Sequence, residues 1–110
     1  MPNGDRALID QRKSQDYLLS PSHPVGRFKA AFFNSLGYTR ERWQQLEMDL
    51  RHQHLEQDIH RVTESEHGRK FEIRANLKGP SGRTVRLVSI WIVLANEELP
   101  RLVTAFPGEQ

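Results

Sequence analysis

The chain of 110 residues has no cysteine, which excludes a disulfide framework, a thiolate metal site and a thiol nucleophile together. Long apolar runs are also missing. The longest, Leu87 to Ala95, is broken by Ser89; it falls far short of the roughly 20 residues of a membrane span and has the length of a buried strand. The amino terminus, MPNGDRALIDQRKSQ, lacks the apolar centre of a signal peptide. Charge of one sign is scarce: 16 Lys and Arg against 14 Asp and Glu leave +2, which excludes a polybasic tail or coat as a general nucleic-acid binder. These absences fit a cytoplasmic protein with no membrane partner.

What remains is the profile of one polar, folded unit. Hydrophobic residues make up 36% and charged residues 27% of the chain, and 110 residues correspond to a single domain with one core. A helical part over about 10–55 and a sheet part over about 58–107 are expected. A short helical pattern from Asp10 stops at Ser20-Pro21-Ser22-His23-Pro24, where two prolines enforce a loop. The next helix is predicted from Val25 to Leu36. Its inward stripe is Phe28, Phe32 and Leu36 at i, i+4 and i+8 with Ala31, and Gly37 is placed for a left-handed C-cap. Thr39 can cap a third helix over Arg40 to His54, with Trp43, Leu46, Leu50 and Met48 facing inward.

Beyond Asp58 the period shifts to two. Phe71, Ile73, Ala75 and Leu77 alternate with Glu72, Arg74 and Asn76, which marks a strand with one buried face. Val85 to Leu94 is apolar on both faces in its second half and is expected in the middle of the sheet. Leu102 to Phe106 closes the sheet and Ile59 to Glu66 opens it. Short connections favour an antiparallel meander, so the expectation is an α+β fold: two to three N-terminal helices packed on one face of a four-stranded antiparallel sheet.

The small net charge conceals a division along the chain. Residues 67–86 hold six Lys and Arg against Glu72 alone, whereas residues 43–66 hold two Arg against six carboxylates. If Arg74, Asn76 and Arg86 share the outer face of the sheet, that face attracts anions; otherwise these arginines pair locally with Glu64, Glu66 and Glu72. Between Ser20 and Lys29, His23 stands between two prolines at the mouth of a helix, with Arg27 and Lys29 a turn later. That pattern combines a near-neutral acid or base with cations suited to a phosphate, or it simply shapes a turn. Thr104 is the one polar residue on the Leu102, Thr104, Phe106 stripe, either a core exception or a hydroxyl presented at a site. His52 and His54, two residues apart, lie on different helix faces and do not form a metal pair. Trp43 and Trp91 read as core.

The stretch Asp16 to Lys29, then Phe32-Phe33, Leu36-Gly37-Tyr38, His67-Gly68-Arg69-Lys70-Phe71, Leu77 to Arg83, Trp91-Ile92 and Pro100 to Pro107 together resemble an uncharacterised family of small bacterial domains. These occur alone and at the ends of phage and toxin polypeptides, and they are similar to the superfamily that groups barnase, EndoU, colicin-type tRNA nucleases and RelE. The resemblance implies a toxin-like endoribonuclease that needs neither metal nor cofactor. Carried onto this chain, it implies His23, Lys29, Arg74 and Thr104 as catalytic residues and Arg27 and Arg86 as phosphate-binding residues. His23 would be general base or acid, with Lys29, His67 or another group as its complement. RNA and an acidic neutralising protein are the implied partners. The alternative on the same fold is a non-catalytic protein-interaction or RNA-binding module. Catalysis requires His23, a strand arginine and Thr104 to converge on one cleft.

Overall fold

The computed structural model describes residues 1, 3–12 and 27–108, with Arg27 and Phe28 as backbone only. The fold is α+β. Four strands, β1 (Arg61–Ser65), β2 (Gly68–Lys78), β3 (Thr84–Leu94) and β4 (Arg101–Pro107), form an antiparallel meander in the order β1-β2-β3-β4. Connections too short for a crossover leave antiparallel neighbours as the accessible pairing. The expected alternation in β2 holds. Phe71, Ile73, Ala75 and Leu77 are buried, and they stand opposite Trp91, Ser89, Leu87 and Val85 of β3.

Two α-helices occur among the described residues, α1 (Arg27–Ser35) and α2 (Trp43–Asp49), against the two or three expected. Of the first expected helix, Gln11 and Arg12 are helical and the remainder lies outside the described residues. The predicted stripe of α1 needs correction: Ala30, Phe33 and Leu36 are buried, Phe32 is half-buried and Ala31 is exposed. Leu36 is buried as expected, but one turn earlier Phe33 takes the inward place expected of Phe32. The β2–β3 turn holds the end of the helix: the Ser81 amide donates to the Leu36 carbonyl at 3.0 Å. Gly37 takes the expected left-handed conformation at φ 97°. Gly79 lies so close beneath Leu36 that a Cβ there would run into the Leu36 carbonyl oxygen.

The helix expected over residues 40–54 is three pieces. A 3-10 turn (Arg40–Arg42) leads into α2, and a π-helical turn (Leu50–His54) follows it, in which the Leu55 amide donates to the Leu50 carbonyl at 3.0 Å. Thr39 precedes the first piece in extended conformation but makes no side-chain cap bond. Leu46 and Leu50 are buried and Trp43 packs on the core, whereas Met48 is 52% exposed and does not face inward. One contact has no counterpart in the sequence pattern. Leu8 forms a parallel bridge with Arg101, exchanging bonds with Pro100 and Leu102, so the amino-terminal segment partly covers the edge of β4.

Candidate functional site

Register places the strand candidates. On β2 the residues between the core positions, Lys70, Glu72, Arg74 and Asn76, stand opposite Ile92, Ile90, Val88 and Arg86, and on β4 Thr104 and Phe106 stand opposite Ile90 and Val88. Arg74, Arg86 and Thr104 therefore share the face away from the Phe71–Trp91 core. Neighbouring strands lie about 4.8 Å apart and alternate residues about 6.8 Å apart along a strand. Those spacings separate the backbones of Thr104 and Arg74 by about 12 Å and of Thr104 and Arg86 by about 14 Å.

Lys29 joins this face from α1. Its Nζ donates to Thr104 Oγ1 at 2.6 Å, in a half-buried setting. Ala30, Phe33 and Leu36 anchor α1 in the core, which leaves the neighbouring positions Lys29 and Phe32 at its flank. The expected Leu102, Thr104, Phe106 stripe does not hold: a register shift between Ile90 and Trp91 leaves one extra residue, Val103, on β4, so Leu102 stays in the core while Thr104 and Phe106 face the other way. Thr104 is half-buried on the outer face, and its hydroxyl belongs to a polar contact. His23 lies outside the described residues. Arg27 is the first residue of α1, and its side chain is not described.

Arg74 is engaged. Its Nε donates to Glu72 Oε2 at 2.7 Å, and His60 Nε2 stands 3.8 Å from the same oxygen. That hydrogen bond, reinforced by the charges of Arg74, His60 and Arg61, holds the Glu72 carboxyl below the usual carboxylate range. The local pairing weighed for Arg74 is thus present, but along β2 and not across strands. Glu72 lines a shallow groove of about 340 Å³ with Arg61, Lys70, Ile90 and Phe106. The outer-face His60–Glu72 cluster was not singled out in the sequence, although the outward position of Glu72 in the β2 alternation was the available signal. His67, by contrast, sits in the β1–β2 turn beside Glu66, at the opposite end of β2 from Asn76.

A second groove, of about 560 Å³, opens where α1 meets the far ends of β2, β3 and β4, bordered by Phe32, Asn76, Arg83, Arg86, Pro107 and Gly108. Arg83 Nη1 donates to Ser35 Oγ at 3.2 Å. Among the described residues, neither Arg86 nor Asn76 has a side-chain hydrogen bond or ion pair.

Behind the sheet, His54 is fully buried. Its Nε2–H donates to the Ala75 carbonyl at 3.1 Å and its Nδ1 accepts from the Ser89 hydroxyl at 2.7 Å. Trp91 Nε1 donates to the same hydroxyl oxygen at 2.9 Å. A carbonyl only accepts, so the partners fix the neutral tautomer. Burial drives the His54 pKa down to about 4, the bond to Ala75 opposes this, and the positive charge of Arg86 adds to the depression. His54 is structural. Among the described residues, no group of three or more His, Asp or Glu is placed to hold a metal ion, and no helix is long and apolar enough to cross a membrane.

The whole fold is shared with a chain of the contact-dependent growth inhibition toxin–immunity protein complex from Klebsiella pneumoniae 342, at a TM-score of 0.66 and 18% identity over 100% of both chains. At that identity the likeness concerns the fold. No curated protein matches the sequence. The family described as "Domain of unknown function (DUF6883)" matches residues 1–109.

Proposed function

The chain belongs to the DUF6883 family, whose description assigns no activity, and we propose from the outer sheet face that it is a toxin-like endoribonuclease acting in the cytoplasm without a metal or cofactor. The observation that carries this reading is the 2.6 Å bond from Lys29 to Thr104, on the same face as Arg74 and Arg86. It brings a cation and a hydroxyl from separate elements to one point on a surface that also carries two arginines. The fold shared with a chain of a toxin–immunity complex supports it.

In this mechanism a ribose 2′-hydroxyl attacks the adjacent phosphorus. The O2′–P bond forms, the P–O5′ bond breaks, and the products end in a 2′,3′-cyclic phosphate and a 5′-hydroxyl. Lys29 and Arg74 neutralise the charge that grows on the phosphoryl oxygens, and Thr104 donates its proton to one of them while accepting from Lys29. Arg86 and Arg27 hold neighbouring phosphates. One proton must leave O2′ and another must reach O5′. His23 serves one of these transfers, and Glu72, ionised beside Arg74 and flanked by His60, is the complementary base.

The test is cleavage of RNA by the purified chain in EDTA, with product ends analysed. Lys29→Met and Thr104→Val should each lower the rate about 10²- to 10³-fold at unchanged melting temperature. Intact RNA after incubation with folded wild-type protein would refute the reading. The structural neighbour comes from a complex of a toxin with its immunity protein. That association and the arginine-rich face favour a second element: an acidic protein partner that covers this same face. A non-catalytic module would bind that partner and leave RNA intact.

A further inference from the structure

Arg86 and Asn76 stand opposite one another on β3 and β2, both exposed and both without a side-chain hydrogen bond or ion pair among the described residues. They open into the groove of about 560 Å³ that Phe32 and Arg83 also border, a size within the roughly 300–1,000 Å³ range of small-molecule sites. Among the described residues, no carboxylate lines it. Its parts are held in place. The Phe32 ring rests edge-to-face on buried Phe33 with centroids 5.1 Å apart, Arg83 is tied to Ser35 at the end of α1, and the Gly108 amide donates to the Arg86 carbonyl at 2.9 Å. A Cβ on Gly108 would stand 2.9 Å from Arg86 Cγ, so the bare backbone there lets the arginine stem lie flat against it.

An ion site needs only the guanidinium groups. The neighbouring aromatic ring and the unspent carboxamide are the additional groups that recognise a nucleobase: a ring to stack on, and a paired donor and acceptor for a base edge. We infer that this groove is a subsite for one nucleotide of single-stranded RNA, with the phosphate on Arg86 and Arg83, the base on Phe32, and its edge read by Asn76. The inference deepens the ribonuclease reading and rests on it for its biological ligand, yet it concerns binding and can be measured without turnover.

The experiment is titration of the full chain with 5′-AMP, 5′-GMP, 5′-CMP, 5′-UMP and inorganic phosphate, followed by backbone and side-chain amide NMR shifts. The expected result is that shifts map to Phe32, Asn76 and Arg86, and at least one nucleotide binds about 5- to 100-fold more tightly than phosphate. Phe32→Leu, which keeps the packing on Phe33, should erase that advantage. Asn76→Ala should level the four bases, and Arg86→Ala should weaken every probe, phosphate included. Equal binding of phosphate and nucleotides, shifts confined to other surfaces, or an unaltered advantage in Phe32→Leu would overturn the subsite. Nucleotide binding here by a protein that leaves RNA intact would sink the cleavage reading alone; RNA cleavage without nucleotide shifts here would sink the subsite alone.

Discussion

Lowering the pH should destabilise this protein through His54 before it protonates most carboxylates. The folded His54 pKa is near 4 against 6.5 for a free imidazole, so between those values the unfolded chain binds a proton that the folded chain refuses. Stability is therefore complete above about pH 7.5 and falls as the solution is acidified. With 1.36 kcal/mol for each pKa unit, the loss is about 1.4 kcal/mol at pH 5.5 and about 2.5 kcal/mol at pH 4.5. The structural reason is first the burial of the ring, which disfavours the charged imidazolium; protonation of Nδ1 would also take away the acceptor of the Ser89 hydroxyl proton. Urea denaturation at pH 7.5 and 5.5 measures the difference, with pH 5.5 chosen to lie above the carboxylate range. His54→Gln, lower in absolute stability, should lose this part of the slope. Equal slopes in the two proteins, or an NMR titration placing His54 near 6.5, would refute the assignment.

Ser89→Ala strands the Trp91 indole N–H and His54 Nδ1 in the core and should cost about 2–6 kcal/mol by chemical denaturation, at about 1–3 kcal/mol for each orphaned group. A smaller loss than Ser65→Ala, a substitution at an exposed strand end, would contradict the network. Gly79→Ala drives a methyl into the Leu36 carbonyl; a drop of more than about 2 kcal/mol in thermal or urea stability is expected, with Gly82→Ala milder because only its φ of 90°, and no neighbouring atom, opposes a Cβ. For the site, a double-mutant cycle on Lys29→Met and Thr104→Val should show coupling in RNA cleavage, the pair losing less than the product of the single effects. Strict multiplicativity would separate the two residues functionally.

The sheet was readable because its information is local. In β2 each side chain alternates between core and outer face, so Phe71 to Leu77 in the sequence already assigned both surfaces, and register did the rest. The helices were less legible where a distant segment meets them. Nothing in Phe28, Phe32 or Ala31 announces that Ser81 and Gly79 will meet the end of α1 or that Phe33 will face inward. The π turn defeats a 3.6-residue count; the spacing of four that joins His54 to Leu46 and Leu50 was the signal for its burial and went unused. Of the site, Arg74, Arg86 and Glu72 could be gathered from alternation and Lys29 from its place at the helix mouth. Thr104 could not, because the register shift between Ile90 and Trp91 breaks the alternation of β4, and His60 required the pairing of Arg61 with Glu72 that brings β1 beside β2, which no short-range pattern encodes.

The alternation of β2 also separates two kinds of heredity within one strand. Odd-numbered positions from 71 to 77 hold the fold together, whereas even-numbered positions from 70 to 76 face away from the core. A lineage can exchange Lys70, Glu72, Arg74 or Asn76 for new chemistry while the core receives no signal that anything changed. Insertion or deletion of one residue would exchange the two sets and destroy both, so this strand is free to diverge in content but not in length.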